Sequence, residues 1–237
     1  MTLDNLLVCN DAASFVDTAA TWIAGRIAAS VAERGGCSVA LSGGSTPRPV
    51  YERLAEPPHL DAIPWEAIDV YFGDERCVAP TDVTSNYRMA HEALLSRVSI
   101  PESQVHRIEA EHPDRPATAR DYAALLPARL DVLILGVGGD GHTASLFPES
   151  PLLQEQTLRV APAQSPKAPP WRLTITPRVI GEARTTVVLV QGKSKADIVA
   201  QALLGPRDPH RLPIQLAERA TWIVDPAAAG SIREHGR

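Results

Sequence analysis

The sequence has few cysteines, and their spacing implies neither crosslinks nor a zinc site. Cys9, Cys37 and Cys77 are an odd number, lie far apart and form no C-x-x-C pair. A disulfide framework needs paired cysteines, and a structural zinc site needs closely spaced ligands. We therefore expect a protein of a reducing compartment with no structural metal.

Long hydrophobic runs and an excess of positive charge are also missing. No segment approaches about 18 consecutive apolar residues, and the N-terminal MTLDNLLVCNDAAS lacks the basic and apolar regions of a leader peptide. The chain has 23 Lys and Arg against 28 Asp and Glu, a formal net charge of -5. This balance argues against nucleic-acid and membrane partners, but it allows a local basic pocket for a small anion. We expect a cytoplasmic protein.

The composition is that of an ordinary globular protein. Of its 237 residues, 44% are hydrophobic and 22% are charged, close to the globular average. No internal repeat or low-complexity tract divides the chain. Residues 161–170 are rich in proline, but this stretch is too short for an interdomain linker and is interpreted as a loop. We predict a single domain over residues 1–237.

Short apolar runs alternate with stretches whose apolar residues recur at helical spacing. The first helix can be capped by Asn10 or Asp11 and ends at Gly35-Gly36. Predicted strands cover residues 38–41, 68–72, 105–108, 132–135, 172–175, 185–190 and 221–224. Further predicted helices cover residues 47–54, 86–95, 117–126, 177–182 and 194–204. This alternation predicts an α/β fold, a mostly parallel sheet with helices on both faces that binds ligands beyond the carboxyl ends of its strands.

The first loop at a predicted strand end is rich in glycine and hydroxyl groups. It reads Ser42-Gly43-Gly44-Ser45-Thr46, and Pro47 suits the first turn of the following helix. Glycines let the backbone approach a ligand, and the free N–H groups of a helix start attract anions, so the loop can bind a phosphate. No lysine follows as in a nucleoside triphosphate loop. A plain turn between strand and helix is the alternative.

The second loop places three charged residues, Asp74, Glu75 and Arg76, after an apolar strand. Arg76 is suited to binding an oxyanion or a phosphate. Asp74 and Glu75 are suited to proton transfer or to orienting Arg76. The alternative is that these charges only solvate the strand end.

The third loop follows the strand at residues 132–135 and contains an acidic residue and a histidine. Gly136, Gly138 and Gly141 formally match the dinucleotide-binding pattern, but the acidic residue expected about 20 positions later is missing. Asp140 and His142 lie two residues apart, so the carboxylate can orient the imidazole while its other nitrogen faces a substrate. A purely structural histidine is the alternative.

Two later basic residues, Arg172 and Lys195, begin a predicted strand and helix. Each taken alone is a surface charge, and each becomes functional only if the fold brings it to the Ser42–Thr46 loop.

Signatures of other hydrolases are absent: Gly43–Pro47 fails the last position of G-x-S-x-G, and there is no H-E-x-x-H and no cysteine in a nucleophile context.

Together the three loops resemble the 6-phosphogluconolactonase family, within the group that includes glucosamine-6-phosphate deaminases and ribose-5-phosphate isomerases. Ser85-Asn86-Tyr87, Pro169–Thr174 and Gly192–Ala196 add to the resemblance, which covers nearly the whole chain. Deaminases typically read Phe-Asn-Glu-Pro after the Asp-Gly-His turn and Asp-Glu-Tyr in the second loop. Here Phe147-Pro148 is followed by Glu149, and Arg76 replaces the tyrosine, which favours the lactonase.

The resemblance implies a modified Rossmann-like fold of the sugar-phosphate isomerase/deaminase type. It also implies hydrolysis of 6-phospho-D-glucono-1,5-lactone, the second step of the oxidative pentose phosphate pathway, without a cofactor or metal. His142 would deprotonate water, Asp140 would orient His142, Arg76 would stabilise the oxyanion, and Asp74 would support them. The phosphate would bind the Ser42–Thr46 loop, with Arg172 and Lys195 as clamps.

The expected partner is the small sugar-phosphate lactone, and the expected state is a monomer or a weak homodimer. Three other functions stay open at this point. They are a sugar-phosphate isomerase or deaminase, a non-catalytic sugar-phosphate sensor, and a nucleotide-cofactor enzyme.

Overall fold

The computed structural model describes residues 3–235 and contains two β-sheets with helices packed around the larger one. The strands are β1 Leu6–Val8, β2 Cys37–Leu41, β3 Ile68–Phe72, β4 Asp74–Arg76, β5 Val132–Leu135, β6 Val160–Gln164, β7 Trp171–Ile175, β8 Thr185–Val190 and β9 Thr221–Val224. The helices are α1 Ala12–Arg34, α2 Pro47–Leu54, α3 His59–Ala62, α4 Asn86–Ala93, α5 Arg115–Leu125, α6 Pro177–Glu182, α7 Ala196–Leu204 and α8 Gly230–His235.

The larger sheet has the strand order β1-β9-β8-β5-β2-β3, and all of its neighbouring strands run parallel. The central strands β2 and β5 are buried along their whole length. Such continuous burial requires cover on both faces of the sheet. The predicted α/β fold with a mostly parallel sheet is confirmed.

Helix α1 shows how local sequence sets an element boundary. The Asp11 side chain accepts from the Ser14 N–H at 2.7 Å, and the Ser14 hydroxyl accepts from the Asp11 N–H at 2.9 Å, a reciprocal cap. Gly35 ends the helix with a φ of 78°, a conformation that favours glycine. Phe15 and Ile23 lie on the buried face, which packs against α2, β2 and β9. No helix within residues 3–235 is both long and apolar enough to cross a membrane.

A second, antiparallel sheet of order β4-β7-β6 was not predicted. Strand β4 follows β3 after Gly73 alone, so the two sheets are continuous in sequence at this point. Interpreting all of residues 161–170 as a loop is wrong, because Val160–Gln164 pairs with β7. Pro162 is compatible with this strand since β6 lies at the sheet edge, where a missing N–H is tolerated.

The predicted strand at residues 105–108 is also wrong. Only Val105 forms a bridge, to Val70, and the His106 N–H donates to the Val70 oxygen at 2.8 Å. The chain then turns, with the Ala110 N–H donating to the Ile108 oxygen. The pairing therefore stops after one bridge.

Three helix boundaries differ by two residues from the sequence-based expectation. Helix α7 begins at Ala196, because Lys193–Lys195 forms a 3-10 turn before it. Helix α5 begins at Arg115 because the Asp114 carboxylate accepts from the Ala117 N–H at 3.0 Å and so caps the helix earlier. Helix α4 ends at Ala93, after which Leu95–Arg97 forms a separate 3-10 turn.

Candidate active site

Four loops meet at the carboxyl edge of the parallel sheet. They follow β8, β5, β2 and β3, which are consecutive neighbours in the sheet. The loops surround a cleft of about 410 Å³. Among the predicted site residues, those that line the cleft are Ser42, Gly43, Gly44, Ser45, Thr46, Asp74, Arg76, His142 and Lys195.

The loop after β2 is held at its start and open along the rest of its backbone. The buried Tyr51 hydroxyl accepts from the Ser42 N–H and donates to the Ser42 oxygen, both at 2.9 Å. Gly44 has a φ of 104°, a conformation that side chains other than glycine rarely adopt. Within the described chain, the N–H groups of residues 43–46 donate to no other protein group. The loop can therefore offer them to an anion.

Asp140 and His142 form a close side-chain pair at the turn after β5. The Asp140 carboxylate bonds His142 Nδ1 and also accepts from the His142 N–H at 3.3 Å. Burial raises the pKa of Asp140, but the neighbouring His142 charge and hydrogen bonds outweigh burial and hold that pKa below its usual value. Because Asp140 occupies Nδ1, His142 keeps Nε2 for other partners.

The backbone of the same turn fits tightly under this pair. The Gly138 N–H donates to the His142 oxygen at 2.8 Å, which closes the turn. A Cβ at Gly138 would overlap both the His142 ring and the Asp140 carboxylate, whereas a Cβ at Gly139 would meet nothing within 4 Å. The pair therefore depends on glycine at one position of the turn and not at the next.

Asp74 bridges the parts of the cleft instead of facing it freely. Its side chain is buried, and it accepts from the Ser145 hydroxyl at 2.6 Å and from Asn86 Nδ2 at 3.1 Å. Asn86 packs so closely on Gly43 that a Cβ there would overlap its amide. Asp74 thus connects the Ser42–Thr46 loop, through Asn86, to the segment that follows His142. Such contacts suit a residue that positions other parts of the site.

Glu75 holds the start of helix α4 against strand β4. Its buried carboxylate accepts from the N–H groups of Arg76, Asn86 and Tyr87 and from the Ser85 hydroxyl, at distances of 2.7–2.9 Å. Burial raises the pKa of Glu75, and these hydrogen bonds oppose that effect without cancelling it. Glu75 therefore sets the position of Asn86 beside the cleft.

We expect Glu75→Gln to destabilise the fold. The new amide nitrogen would face two donors, and each buried donor left unpaired costs about 1–3 kcal/mol. Urea unfolding should show a midpoint lowered accordingly. Glu66→Gln is the matched control, since Glu66 is exposed and forms no side-chain ion pair within residues 3–235. Equal stabilities of the two variants would contradict this role of Glu75.

Arg76 and Arg172 lie opposite each other across β4 and β7, but only Arg76 lines the cleft. The Arg76 Nη1 donates to the Thr84 oxygen at 2.6 Å. Arg172 is buried, and its Nη1 has no hydrogen-bond partner in the described chain. Burial lowers the pKa of Arg172, and the charge of Arg76 lowers it further. The fold encloses Arg172 opposite Arg76, and its expected role as a phosphate clamp stays a prediction.

Lys195 lies at the cleft together with Lys167, a residue that the sequence analysis missed. Lys195 Nζ donates to the Val137 oxygen at 2.9 Å. Burial lowers the pKa of Lys195, the charge of Asp140 opposes this effect, and the charge of Lys167 adds to it. The only sequence signal for Lys167 is a basic residue within the Pro-rich segment. Asn86, also missed as a site residue, stood out in the sequence only as part of Ser85-Asn86-Tyr87 in the family resemblance.

Among the side chains that the structure describes, no group of three or more His, Cys, Asp or Glu residues is arranged to hold a metal ion, in this cleft or elsewhere. The chemistry that the cleft presents is instead an oriented imidazole, an arginine, two lysines and an open backbone loop. Such a set can bind an anionic ligand and accept a proton from a bound molecule.

Comparisons with known proteins agree with this arrangement. The profile of the family described as glucosamine-6-phosphate isomerases/6-phosphogluconolactonase matches residues 10–224. A 6-phosphogluconolactonase of Synechocystis sp. is 37% identical over 232 residues, which span 92% of this chain and 94% of that protein.

Solved structures of the same group superpose well. The 6-phosphogluconolactonase of Trypanosoma brucei has a TM-score of 0.84 at 28% identity, covering 96% of this chain and 98% of that one. A monomeric glucosamine-6-phosphate deaminase has a TM-score of 0.84 at 21% identity, covering 98% of this chain and 100% of that one, and it shows the common fold alone. With its profile match, its loops and its sheet all in agreement, the chain belongs to the glucosamine-6-phosphate isomerase/6-phosphogluconolactonase family.

Proposed function

We propose that this protein hydrolyses 6-phospho-D-glucono-1,5-lactone to 6-phospho-D-gluconate. The observation that carries the proposal is one cleft that combines the Asp140–His142 pair with an open, glycine-rich backbone loop. The first can activate water, and the second can hold a phosphate. The names of the related lactonases support the same reaction.

The chemical step needs a general base and an oxyanion partner. His142 Nε2 takes a proton from water, and the water oxygen bonds to the lactone carbonyl carbon. Arg76, which has guanidinium N–H groups beyond the one bonded to Thr84, stabilises the negative oxygen that forms. The bond from that carbon to the ring oxygen then breaks, and the imidazolium returns its proton to the ring oxygen. The product is an open-chain hydroxy acid.

Asp140 acts through His142. Its carboxylate bonds Nδ1 and holds the ring orientation and tautomer in which Nε2 is a base. The lowered pKa of Asp140 keeps this carboxylate ionised at neutral pH. Asp140 is therefore a positioning residue for the reaction.

The phosphate of the substrate binds at the loop after β2. The free N–H groups of residues 43–46 and the hydroxyls of Ser45 and Thr46 are its donors. Lys195 supplies positive charge from the loop after β8, a strand that β5 separates from β2. Holding the phosphate in this way uses binding energy remote from the ester to place the carbonyl at His142.

The placement of Glu149 favours the lactonase over a deaminase. Deaminases carry a carboxylate in the segment after the Asp-Gly-His turn. Here Glu149, the acidic residue of that segment, lines an adjoining groove with Asp140 and Trp171 and is not among the residues of the cleft. The cleft therefore lacks the acid that deaminase chemistry would use at this point.

The test generates the lactone in situ from glucose 6-phosphate with a dehydrogenase and follows its disappearance against the spontaneous rate. We expect the protein to accelerate the disappearance. A folded protein that gives no acceleration would overturn the proposal, and ammonia release from glucosamine 6-phosphate would then identify a deaminase.

Three sequence-based expectations remain part of the proposal: a single domain, a cytoplasmic location, and a monomeric or weakly dimeric state without nucleic-acid or membrane partners. The first extends to residues 1, 2, 236 and 237, which lie outside the described chain. Cell fractionation and sedimentation of the purified protein test the other two.

A further inference from the structure

Lys167 lies at the tip of the β6–β7 hairpin and lines the same cleft as the proposed phosphate loop. Its side chain is exposed, and its ammonium group forms no ion pair with any side chain that the structure describes. The reaction and the phosphate site proposed above give this lysine no role of its own. An unpaired cation at the wall of an anion-binding cleft is available for a ligand.

The segment that carries Lys167 is well suited to hold it in place. The Ser165 N–H donates to the Pro170 oxygen at 2.6 Å, which closes the tip of the hairpin. The Lys167 N–H donates to the Ser165 hydroxyl at 3.1 Å. Pro166, Pro169 and Pro170 fix three of the φ angles around it. Little backbone entropy is therefore lost when the lysine binds a ligand.

Lys167 acts electrostatically on Lys195. Burial lowers the pKa of Lys195, the charge of Asp140 raises it, and the charge of Lys167 lowers it, as expected for an ammonium group that faces a second one across the same space. An anion bound between them would be attracted by both charges and would offset their repulsion. A phosphate, with a charge near −2 at neutral pH, matches such a pair.

We propose that Lys167 is a specificity-determining residue that binds the phosphate of the substrate together with Lys195, and so selects phosphorylated over unphosphorylated lactones. This inference rests on the proposed function, because it assigns a substrate group to the same cleft. It adds a third cation to the expected clamp of Arg172 and Lys195, since Lys167 comes from the hairpin tip.

The decisive comparison is between two lactones. We expect Lys167→Gln to lower kcat/KM for 6-phospho-D-glucono-1,5-lactone by about 10- to 100-fold, the range for one lost hydrogen bond to a charged group. For unphosphorylated D-glucono-1,5-lactone, kcat/KM should stay within about 2-fold of the parent value, because that substrate has no group for Lys167 to bind. Lys167→Arg should retain most of the parent selectivity.

Lys193→Gln is the matched control. Lys193 is an exposed lysine two residues from Lys195, and it does not line the cleft. The Lys193→Gln substitution removes one positive charge from the same region of the protein as Lys167→Gln does. We expect Lys193→Gln to leave both lactone activities unchanged, which separates a specific contact from a general effect of net charge.

A binding measurement makes the test independent of turnover. Calorimetry should show 6-phosphogluconate binding to the parent and a dissociation constant raised about 10-fold or more in Lys167→Gln. Unchanged selectivity and unchanged product affinity, or equal losses for the two lactones, would overturn the role of Lys167. If the parent is inactive but still binds 6-phosphogluconate, the proposed hydrolysis is overturned. The dissociation constants of the parent and of Lys167→Gln then decide on the role of Lys167. A parent that neither reacts nor binds would overturn both.

Discussion

Replacing His142 by alanine should lower kcat for the phosphorylated lactone by about 10²- to 10⁴-fold, the usual contribution of a general base. The imidazole is oriented by the Asp140 carboxylate and lines the cleft, so its removal takes away the group that accepts the proton from water. The phosphate loop does not depend on this side chain. The dissociation constant of 6-phosphogluconate should therefore change little. The in situ lactone assay measures kcat, and calorimetry measures the dissociation constant of 6-phosphogluconate.

His112→Ala is the control for that experiment. His112 is largely exposed, with 63% of its side-chain surface accessible, and it lies outside the cleft. It should have parent activity. A His142→Ala variant that keeps parent turnover would remove His142 from the mechanism. A variant that loses turnover and product binding together would show that His142 binds the substrate instead of acting as a base.

Replacing Gly138 by alanine should lower kcat by about 100-fold or more, since a displacement of about 1 Å in a reacting group can have that effect. The added Cβ would overlap the His142 ring and the Asp140 carboxylate, so both side chains must move from their present positions. The substitution touches neither the phosphate loop nor Arg76. We expect the variant to bind 6-phosphogluconate as the parent does. This binding also serves as the control that the variant is folded.

Gly139→Ala, at the next position of the same turn, is the matched control. Its Cβ would have no neighbour within 4 Å, and its φ is not in the left-handed region. Gly139 also lines the cleft, but its Cβ would meet neither side chain of the pair, so we expect this variant to keep the thermal stability of the parent and to lose far less kcat than Gly138→Ala. Parent activity in Gly138→Ala would show that the Asp140–His142 pair is not arranged for catalysis as described. Equal loss in the two variants would indicate a requirement of the whole turn.

Most of the parallel sheet was predictable because its strands are apolar runs bounded by turn residues. Strands β3, β5, β8 and β9 occupy the predicted residues, and β2 begins one residue earlier, at Cys37. Each of these runs is too short for a helix and is followed by a glycine or a polar loop. Such patterns act between neighbours in the sequence, so they can be recognised without knowledge of the fold.

The antiparallel sheet was not predictable in the same way. Val160–Gln164 contains a proline and lies in a Pro-rich segment, which is typical of a loop. It becomes a strand because β7 supplies partners for its backbone and because its position is at an edge. The single bridge at Val105 is the opposite case, in which an apolar run finds a strand beside it for one residue only. In both, the partner decides the structure.

The candidate site also contains residues that local sequence predicts and residues that only the fold brings together. Asp140 and His142 were predictable because they lie two residues apart in one glycine-rich turn, and the hydroxyls and glycines of the Ser42–Thr46 loop are also contiguous. The different surroundings of Arg172 and Lys167 were not predictable, since both are single basic residues on the same hairpin. The fold buries Arg172 opposite Arg76 and places Lys167 at the cleft.

The sequence by itself determined the alternation of strands and helices, the open loop after β2 and the pairing of Asp140 with His142. These features depend on periodicity, turn chemistry and contacts over a few residues, which the order of amino acids specifies directly. Only the tertiary structure decided that four loops meet at one edge, that Asp74 and Glu75 are buried supports, and that Lys167 lies beside Lys195. The physical reason is that these contacts join segments far apart in the chain, and their geometry exists only once the sheet and its hairpin have packed.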